Sequence, residues 1–251
     1  MVIIELMSKS KNPPFSLLAK VYDAIMSDID YEDWGEFILY TARKYGWRND
    51  GTVLDLGCGT GNSTFPMFAR GLEVVGLDYS AEMLEIAKKK LPPVEFVKAD
   101  FKNFSINKTF SLIYSVFDAI NNLLSDQDFN DMAKSVFNHL EPKGIFMFDV
   151  NTTIGLKDLW ESGVAEGWSG DVYYRWSHDF DLETGLASVE AYCEDSNINF
   201  TEFHYERPYD AEMISKLLNN VGFRGIKILN YPGGGAAKED AVRIWVVAQK
   251  P

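Results

Sequence analysis

The first part of the chain alternates short apolar runs with segments whose apolar residues recur at helical spacing. Five runs are almost purely apolar, which is typical of strands buried on both faces of a parallel sheet. These runs cover 53–56, 73–78, 94–97, 110–117 and 145–150. Strands that alternate with helices predict a doubly wound sheet, whose ligand lies beyond the carboxyl ends of the strands.

Helical periodicity and capping residues mark the segments between these runs. Before the first run, 15–26 and 31–45 each predict a helix. Ser80, Ser125 and Asp210 stand directly before later helical patterns and predict N-caps, because their side-chain oxygens can accept from free backbone N–H groups. We therefore expect a helical arm ahead of the sheet and helices on both of its faces.

Beyond residue 150 the pattern changes to alternating polar and apolar positions. The segments 171–181, 186–195 and 198–207 alternate in this way and predict an antiparallel meander. A helix from 211 and two further strands, 225–230 and 241–248, complete the chain. The predicted fold is α/β, a doubly wound, seven-stranded, mostly parallel sheet with an inserted antiparallel β lid.

These patterns divide the chain into three parts. We expect an N-terminal helical arm at 1–46, a core at 47–150 and 209–251, and an inserted lid at 151–208. The arm begins with a leader that ends at Pro14 and is expected to be flexible, and Met7 is an alternative start.

Composition narrows the classes of function. The 251 residues carry a net charge of −13, which argues against non-specific binding of nucleic acid because that needs a basic surface. Two cysteines give no disulfide framework. No apolar run approaches the roughly 18 residues of a membrane span. We expect a cytoplasmic protein with no membrane partner, either a monomer or a homodimer.

A glycine-rich loop follows the first predicted strand. Gly57, Gly59 and Gly61 alternate after an apolar run, which predicts a tight loop whose backbone touches a ligand at a helix N-terminus. The third glycine comes one residue too early for the dinucleotide motif G-x-G-x-x-G, which argues against a dehydrogenase. Asp78 ends the second strand, 23 residues beyond Asp55, where a carboxylate can accept hydrogen bonds from both hydroxyls of a ribose.

The loop, with Asp55 two residues before it, resembles motif I of the class I S-adenosylmethionine (SAM)-dependent methyltransferases. The resemblance covers roughly 52–149 and 209–249. The Tyr22-Asp23 pair, the segment 117–122 and the β lid are similar to small-molecule enzymes of this class, including the sugar-amine N,N-dimethyltransferase and glycine N-methyltransferase-like groups.

This resemblance implies a SAM site and no metal. Asp55 would support the loop, the loop backbone would lie against the methionine part, Asp78 would hold the ribose and Asp100 would meet the adenine amino group. The arm either packs onto the core or closes over the cofactor. The predicted cofactor-binding set is Tyr22, Trp34, Asp55, Gly57, Cys58, Gly59, Gly61, Asn62, Asp78, Tyr79, Met83, Asp100, Phe101, Phe117 and Asp118.

Methyl transfer from a sulfonium needs mainly alignment and exclusion of water. The implied products are a methylated small-molecule acceptor and S-adenosylhomocysteine (SAH). If the acceptor is an amine or a hydroxyl, a base can take its proton, and Asp118, His204 and Tyr205 are the candidates. Arg207 either binds an anionic part of the substrate or is solvated.

Several alternatives remain at this point. Methyltransferases of nucleic-acid amino groups carry an Asn/Asp-Pro-Pro-Tyr/Phe element after the fourth strand, where this chain has 117–120, so nucleic acid is not expected as a substrate. The similar segment 12–15 precedes the fold. A protein substrate and a non-catalytic SAM-binding protein stay open, as do the acceptor and the choice between nitrogen and oxygen.

Overall fold

The computed structural model describes residues 13–160 and 163–251. The alternative start at Met7 and most of the predicted leader lie outside these residues. The helices and strands, numbered in chain order, are α1 Ala19–Ile25, α2 Tyr31–Lys44, β1 Val53–Leu56, α3 Phe65–Ala69, β2 Val74–Asp78, α4 Ala81–Lys90, β3 Glu95–Lys98, β4 Phe110–Ser115, a 3-10 helix Ala119–Asn122, α5 Asp126–His139, β5 Leu140–Asn151, α6 Thr153–Trp160, β6 Val164–Ser169, β7 Val172–Asp181, β8 Leu186–Glu194, β9 Asn199–Glu206, α7 Ala211–Val221, β10 Arg224–Asn230 and β11 Arg243–Gln249.

The larger sheet has seven strands in the order β10-β11-β5-β4-β1-β2-β3. Strands β1 to β5 pair in parallel, whereas β11 runs antiparallel to both β5 and β10. The predicted doubly wound, seven-stranded, mostly parallel sheet is therefore confirmed, and its last strand is antiparallel. Its carboxyl edge collects the ends of β1, β2, β4 and β5 at one place.

Helices cover both faces of this sheet, as the alternation of patterns predicts. Phe129 and Val136 of α5 and Ile214 of α7 belong to one apolar core. Ile38 of α2 and Leu84 of α4 belong to another, together with different strand residues. Both faces of β1 and β4 are completely buried, which explains their unbroken apolar runs.

Two of the three predicted N-caps are confirmed. The Ser80 hydroxyl accepts a hydrogen bond from the N–H of Met83 at 3.1 Å, and Ser125 likewise caps α5. Asp210 does stand at the N-cap position of α7, but its carboxylate makes no cap bond to that helix. It instead accepts hydrogen bonds from the N–H and hydroxyl of Thr153, at 3.0 and 2.7 Å, at the start of α6.

The inserted lid contains a four-stranded antiparallel sheet, β6-β7-β8-β9, which we call the lid sheet. The sequence predicted three of these strands and missed β6, whose Val164–Ser169 segment contains a glycine and lacks regular alternation. It also missed α6, Thr153–Trp160. Cross-strand pairing joins His178 to Val189 and Val189 to His204. These three side chains therefore share one face of the lid sheet.

That face, the inner face, packs against α1 and α6. Leu18 and Val21 of the arm contact Cys193 on β8, while Leu156 of α6 contacts Val189. The lid sheet is thus held between the arm and the core sheet. In the ranges that the structure describes, no helix is long and apolar enough to cross a membrane.

Candidate active site

The glycine loop, residues 57–61, joins β1 to the segment before α3. Gly57, Gly59 and Gly61 all have positive φ, at 86°, 52° and 83°, which favours glycine over other residues. A Cβ on Gly57 would stand 2.7 Å from the Phe101 ring, whereas a Cβ on Gly59 would meet nothing within 4 Å. The loop therefore packs closely at one end and is open at Gly59, where a ligand can approach the backbone.

Asp55 lies beneath this loop and is fully buried. Its carboxylate accepts hydrogen bonds from the hydroxyls of Ser63 and Thr64, both at 2.7 Å. Burial raises the pKa of Asp55 to about 6, against the lowering effect of these donors. The side chain thus stabilises the chain that leaves the loop.

Asp78 reaches the loop from the end of β2. One carboxylate oxygen accepts from the N–H of Gly59 and the other from the N–H of Ser80, each at 2.8 Å. Burial raises the pKa of Asp78. An ionised carboxylate accepts about four hydrogen bonds, so acceptor capacity is left for a ribose diol.

The remaining residues of the predicted adenine side differ in exposure. Tyr79 is 59% exposed and Met83 is 2% exposed, packed on the core side of α4. Asp100 accepts a hydrogen bond from the N–H of Lys102 at 2.9 Å. Cys58 is a free, buried thiol whose pKa is raised by burial, as for a cysteine that packs and does not react.

The arm is tied to the glycine loop through Asp23. Its carboxylate accepts hydrogen bonds from the Thr60 hydroxyl at 2.6 Å and from the Asn62 amide at 3.0 Å, and it pairs with Lys90 at 2.9 Å. Sequence analysis noted the Tyr22-Asp23 pair but missed this role of Asp23, because the partners lie 37 and 39 residues away.

Aromatic residues of the arm meet the segment after β4. The Trp34 ring stacks on Phe117 with centroids 4.1 Å apart, and the Tyr31 ring lies 4.9 Å from the same side chain. Burial, with the nearby charges of Asp118 and Asp78 among others, raises the pKa of the Tyr22 phenol. The structure therefore brings Tyr22 and Trp34 of the predicted set to the carboxyl edge of the sheet.

Phe117 and Asp118 occupy the left-handed region, with φ of 59° and 50°. Two consecutive non-glycine residues in this region are unusual and are held there by their surroundings. The carboxylate of Asp118 accepts from the Asn151 amide at 2.8 Å and from Arg243 at 2.9 Å. These partners lie on β5 and β11, so the strained turn is locked against two neighbouring strands.

A second carboxylate, Asp149 on β5, shares the same guanidinium. Its carboxylate lies 3.2 Å from Arg243 and accepts from the N–H of Asp118 at 3.3 Å. Asp149 is fully buried, and this burial raises its pKa to about 7 although Arg243 acts in the opposite direction. Sequence analysis did not identify Arg243, because it lies 125 residues from Asp118 and belongs to no local motif.

A third carboxylate comes from the lid. Glu206 ends β9, and its Oε2 atom is buried without a hydrogen-bond partner among the described residues. Burial raises the pKa of Glu206 well above its usual value, and the negative charge of Asp118 adds to this effect. We call Asp118, Asp149, Glu206 and Arg243 the acidic cluster. It holds three carboxyl groups against one guanidinium.

The other predicted bases lie elsewhere. His204 is buried on the inner face, with its ring 4.6 Å from Phe15 of the arm and its Nε2 3.4 Å from the Glu202 carboxylate. Tyr205 points to the opposite face, because side chains alternate along a strand. Tyr205 therefore lies on the other face of β9 from Glu206, is 9% exposed, and stays a prediction as a base.

Arg207 is anchored within the protein. Its guanidinium donates to Asp126 at 2.7 Å, and its backbone N–H donates to the Asn121 carbonyl at 2.7 Å. Its Nη2 atom is therefore not free in solvent, whereas Nη1 is buried without a hydrogen-bond partner among the described residues. The contact fixes the end of β9 against the 3-10 helix after β4.

Comparisons with known proteins agree with this architecture. Residues 53–144 match the family described as a methyltransferase domain. The putative methyltransferase YqeM of Bacillus subtilis (strain 168) is 29% identical over 219 residues, which cover 82% of this chain and 85% of that protein. The dTDP-3-amino-3,4,6-trideoxy-alpha-D-glucopyranose N,N-dimethyltransferase of Streptomyces venezuelae is 29% identical over 156 residues, 61% of this chain and 60% of that protein.

Among solved structures, a SAM-dependent methyltransferase from Clostridium acetobutylicum ATCC 824 superposes with a TM-score of 0.81 at 28% identity, covering 93% of this chain and 97% of that one. The matched domain coincides with the strands that carry the glycine loop, and the structural likeness extends over most of the arm and the lid as well. The chain has the class I methyltransferase fold, and it is a SAM-dependent methyltransferase.

Proposed function

We propose that this enzyme transfers the methyl group of SAM to an amine nitrogen of a small molecule held between the acidic cluster and the lid sheet. The observation that carries the proposal is the composition of the acidic cluster. Asp118, Asp149 and Glu206 surround Arg243, so ionisation of all three carboxyls would leave a net charge of −2 in a largely buried place.

Such a site favours a cationic ligand. Buried charges without a partner are costly, and an ammonium group would compensate the excess of carboxylates. A neutral hydroxyl would bring no such compensation, and burial would favour the protonated forms of Asp149 and Glu206. Two relatives are consistent with this choice, since their names specify amino-sugar N,N-dimethyltransferase and sugar N-methyltransferase activity.

We propose that the predicted cofactor residues hold SAM along the carboxyl edge of the sheet. The open backbone at Gly59 and the remaining acceptor capacity of Asp78 support this assignment. When bound, SAM supplies a sulfonium methyl group that is electrophilic without further activation. Asp55 and Asp23 would then act on the shape of the loop, because both bond to the loop or its flank.

The chain's own contribution to the reaction is orientation and exclusion of water. Trp34 and Phe117 form a stacked wall, and Phe15 closes the arm against the lid at His204. Proximity and orientation of this kind supply about 7–11 kcal/mol of rate enhancement. We further propose the division into arm (1–46), core (47–150 and 209–251) and lid (151–208), and a cytoplasmic monomer or homodimer that does not act on nucleic acid.

Matched amine and alcohol acceptors test the proposal. Purified enzyme and SAM are incubated with glucosamine or glucose, and with benzylamine or benzyl alcohol, and the release of SAH is measured. We expect SAH release above the acceptor-free rate with at least one amine and with neither alcohol. Release with the alcohols and not the amines would contradict the choice of nitrogen.

A further inference from the structure

The inner face of β9 presents a row of acidic and imidazole side chains. Glu202, His204 and Glu206 alternate along the strand and therefore project to the same side. Glu202 and His204 contact the arm, where Glu202 accepts from the N–H of Leu18 at 3.1 Å. Glu206 stands at the end of this row. It faces Asp118, Asp149 and Arg243 of the acidic cluster and not the arm.

Glu206 is placed there by two fixed points. Its cross-strand neighbour is Ala187, which packs in the small core formed with α6. The next residue, Arg207, donates its N–H to Asn121 and its guanidinium to Asp126. These contacts fix the end of β9. The Glu206 carboxyl therefore lies at the junction of lid and core.

The groups that face Glu206 come from three elements of the core and from its own strand. Asp118 lies after β4, Asp149 lies on β5 and Arg243 lies on β11, and the charge of each acts on the Glu206 carboxyl. The Asn151 side chain is within hydrogen-bonding reach. His204 lies on the same face of β9, but its ring contacts Phe15 and its Nε2 atom lies 3.4 Å from the Glu202 carboxylate.

Asp118 and Asp149 already accept hydrogen bonds or an ion pair from Arg243. Asp149 Oδ1 and Glu206 Oε2 are both buried without a hydrogen-bond partner in the described part of the chain, but Asp149 pairs with Arg243 through its other oxygen, whereas Glu206 makes no ion pair among the described residues. A buried carboxyl oxygen without a partner needs either a proton or a donor supplied by a ligand. An ammonium group of an acceptor would supply that donor.

We infer that Glu206 is the general base of this enzyme, which takes a proton from the acceptor amine before methyl transfer. The inference rests on the proposed function, since it needs an amine acceptor. It replaces His204 and Tyr205 as candidates, because one is held against the arm and the other points to the outer face of the lid sheet.

The proton and electron balance is simple. The acceptor binds as an ammonium ion in place of the Glu206 proton, which goes to water, and the ammonium then gives one proton to the resulting carboxylate, leaving a neutral amine and a carboxylic acid. The amine lone pair then forms a bond to the methyl carbon while the carbon–sulfur bond breaks, with its electron pair left on sulfur in SAH. The product leaves as a methylammonium ion, and Glu206 keeps its proton until the next acceptor binds.

The first test needs no acceptor. A carboxyl whose pKa is higher in the folded than in the unfolded state favours folding fully at low pH, and this advantage is lost as the pH rises through the folded value. Glu206→Gln removes this titration at nearly constant volume. We expect E206Q and wild type to be equally stable to urea at about pH 4, and E206Q to be the more stable at about pH 8.

The second test compares pH profiles of kcat/KM for a methylated amine, with benzylamine as the probe. E206Q should lower kcat/KM near neutral pH by about a hundredfold or more, the usual contribution of a general base. Its activity should then rise with pH in step with the neutral fraction of the amine in solution. Glu206→Asp should restore part of the activity, and SAH affinity should change less than twofold in E206Q.

Glu190→Gln is the matched control, because Glu190 is exposed on the outer face of the neighbouring strand β8. E190Q also replaces a lid-sheet glutamate by glutamine. It should change neither the stability to urea at the two pH values nor the pH profile of kcat/KM. Equal stability of E206Q and wild type at both pH values, or an unchanged pH profile of kcat/KM, would overturn the assignment of Glu206 alone. A wild-type enzyme that methylates alcohols and no amine would overturn the proposed function and this inference together.

Discussion

The carboxylate of Asp23 accepts a hydrogen bond of 2.6 Å from the hydroxyl of Thr60, which ties the first helix of the arm to the glycine loop. Thr60 is 1% exposed, so the contact is sealed from solvent on the loop side. The arm is therefore bonded to the glycine loop and, in the proposed function, belongs to the cofactor site. Its contacts decide how well the loop keeps its shape.

Asp23→Ala should weaken SAM binding by about fivefold to tenfold, roughly 1–1.4 kcal/mol. The substitution removes the acceptor for Thr60 and Asn62 and leaves Lys90 without its acidic partner. Calorimetric titration with SAM measures the change. Asp28→Ala, an exposed change on the same arm, is the control and should bind as wild type does. Equal affinity of the Asp23 variant would show that the loop keeps its shape without the arm.

Asp78→Ala should weaken SAM binding by at least about tenfold, or 1.4 kcal/mol. The variant loses the proposed acceptor for the ribose and also the bond from Gly59 that positions the loop. Titration with SAH separates cofactor binding from turnover. Asp50→Ala, exposed before β1 at the opposite edge of the sheet, serves as the control. Unchanged affinity of the Asp78 variant would mean that the ribose assignment is wrong.

Glu202→Gln should destabilise the protein by about 1.5–3 kcal/mol at neutral pH, the usual range for hydrogen bonds to a charged group. The buried carboxylate accepts from the N–H groups of Phe15, Leu17 and Leu18 and from the Ser16 hydroxyl. Urea unfolding of both proteins, with Glu190→Gln as control, measures the difference.

The same variant has an expected pH dependence. Hydrogen bonds to His204 and to the arm lower the pKa of Glu202 in spite of its burial. A lowered folded pKa means that the stabilisation is present above the unfolded value and is lost as the pH falls through the folded one. The difference in free energy of unfolding between wild type and E202Q should therefore disappear below about pH 4. A gap that stayed constant with pH would contradict an ionised carboxylate at this position.

Asp149→Asn should flatten the pH dependence of stability between about pH 4 and pH 8. The folded pKa of about 7 exceeds the unfolded value, so wild type loses stability as the pH rises through this range. The titration of one such group changes the free energy of unfolding by at most about 1.4 kcal/mol per pH unit. Unfolding free energies at several pH values test this, with Asp50→Asn as control. If the free energies of unfolding of wild type and D149N changed with pH in parallel, the raised pKa of Asp149 would be contradicted.

Local patterns were enough to predict the sheet and to indicate which residues meet at the proposed cofactor end of the site. Asp55, the three loop glycines and Asp78 lie within 24 residues of one another, and each follows an apolar run whose direction is set by the parallel sheet. The capping residues Ser80 and Ser125 were predictable for the same reason, since a cap depends on its own turn. The missing cap bond at Asp210 shows the limit, because Thr153 provides competing donors from a helix that was not predicted.

The acceptor end could not be predicted in the same way. Arg243, Asp149 and Asp118 meet only because β11 inserts beside β5, and nothing local in the sequence indicates that contact. Glu206 could have been found, because alternation from the candidate His204 places it on the same face. What the sequence lacked was the contact of that face with the core, which the Arg207–Asn121 hydrogen bond creates.

The most direct test of the account is to follow the methyl group itself. Wild-type enzyme is supplied with SAM that carries a deuterated methyl group, together with equal concentrations of benzylamine and benzyl alcohol, and both compounds are analysed by mass spectrometry. We expect the labelled methyl on the amine nitrogen, the alcohol unchanged, and the label sharply reduced in E206Q while E190Q transfers as wild type does. Label on the alcohol with the amine unmodified would contradict an amine site at the acidic cluster.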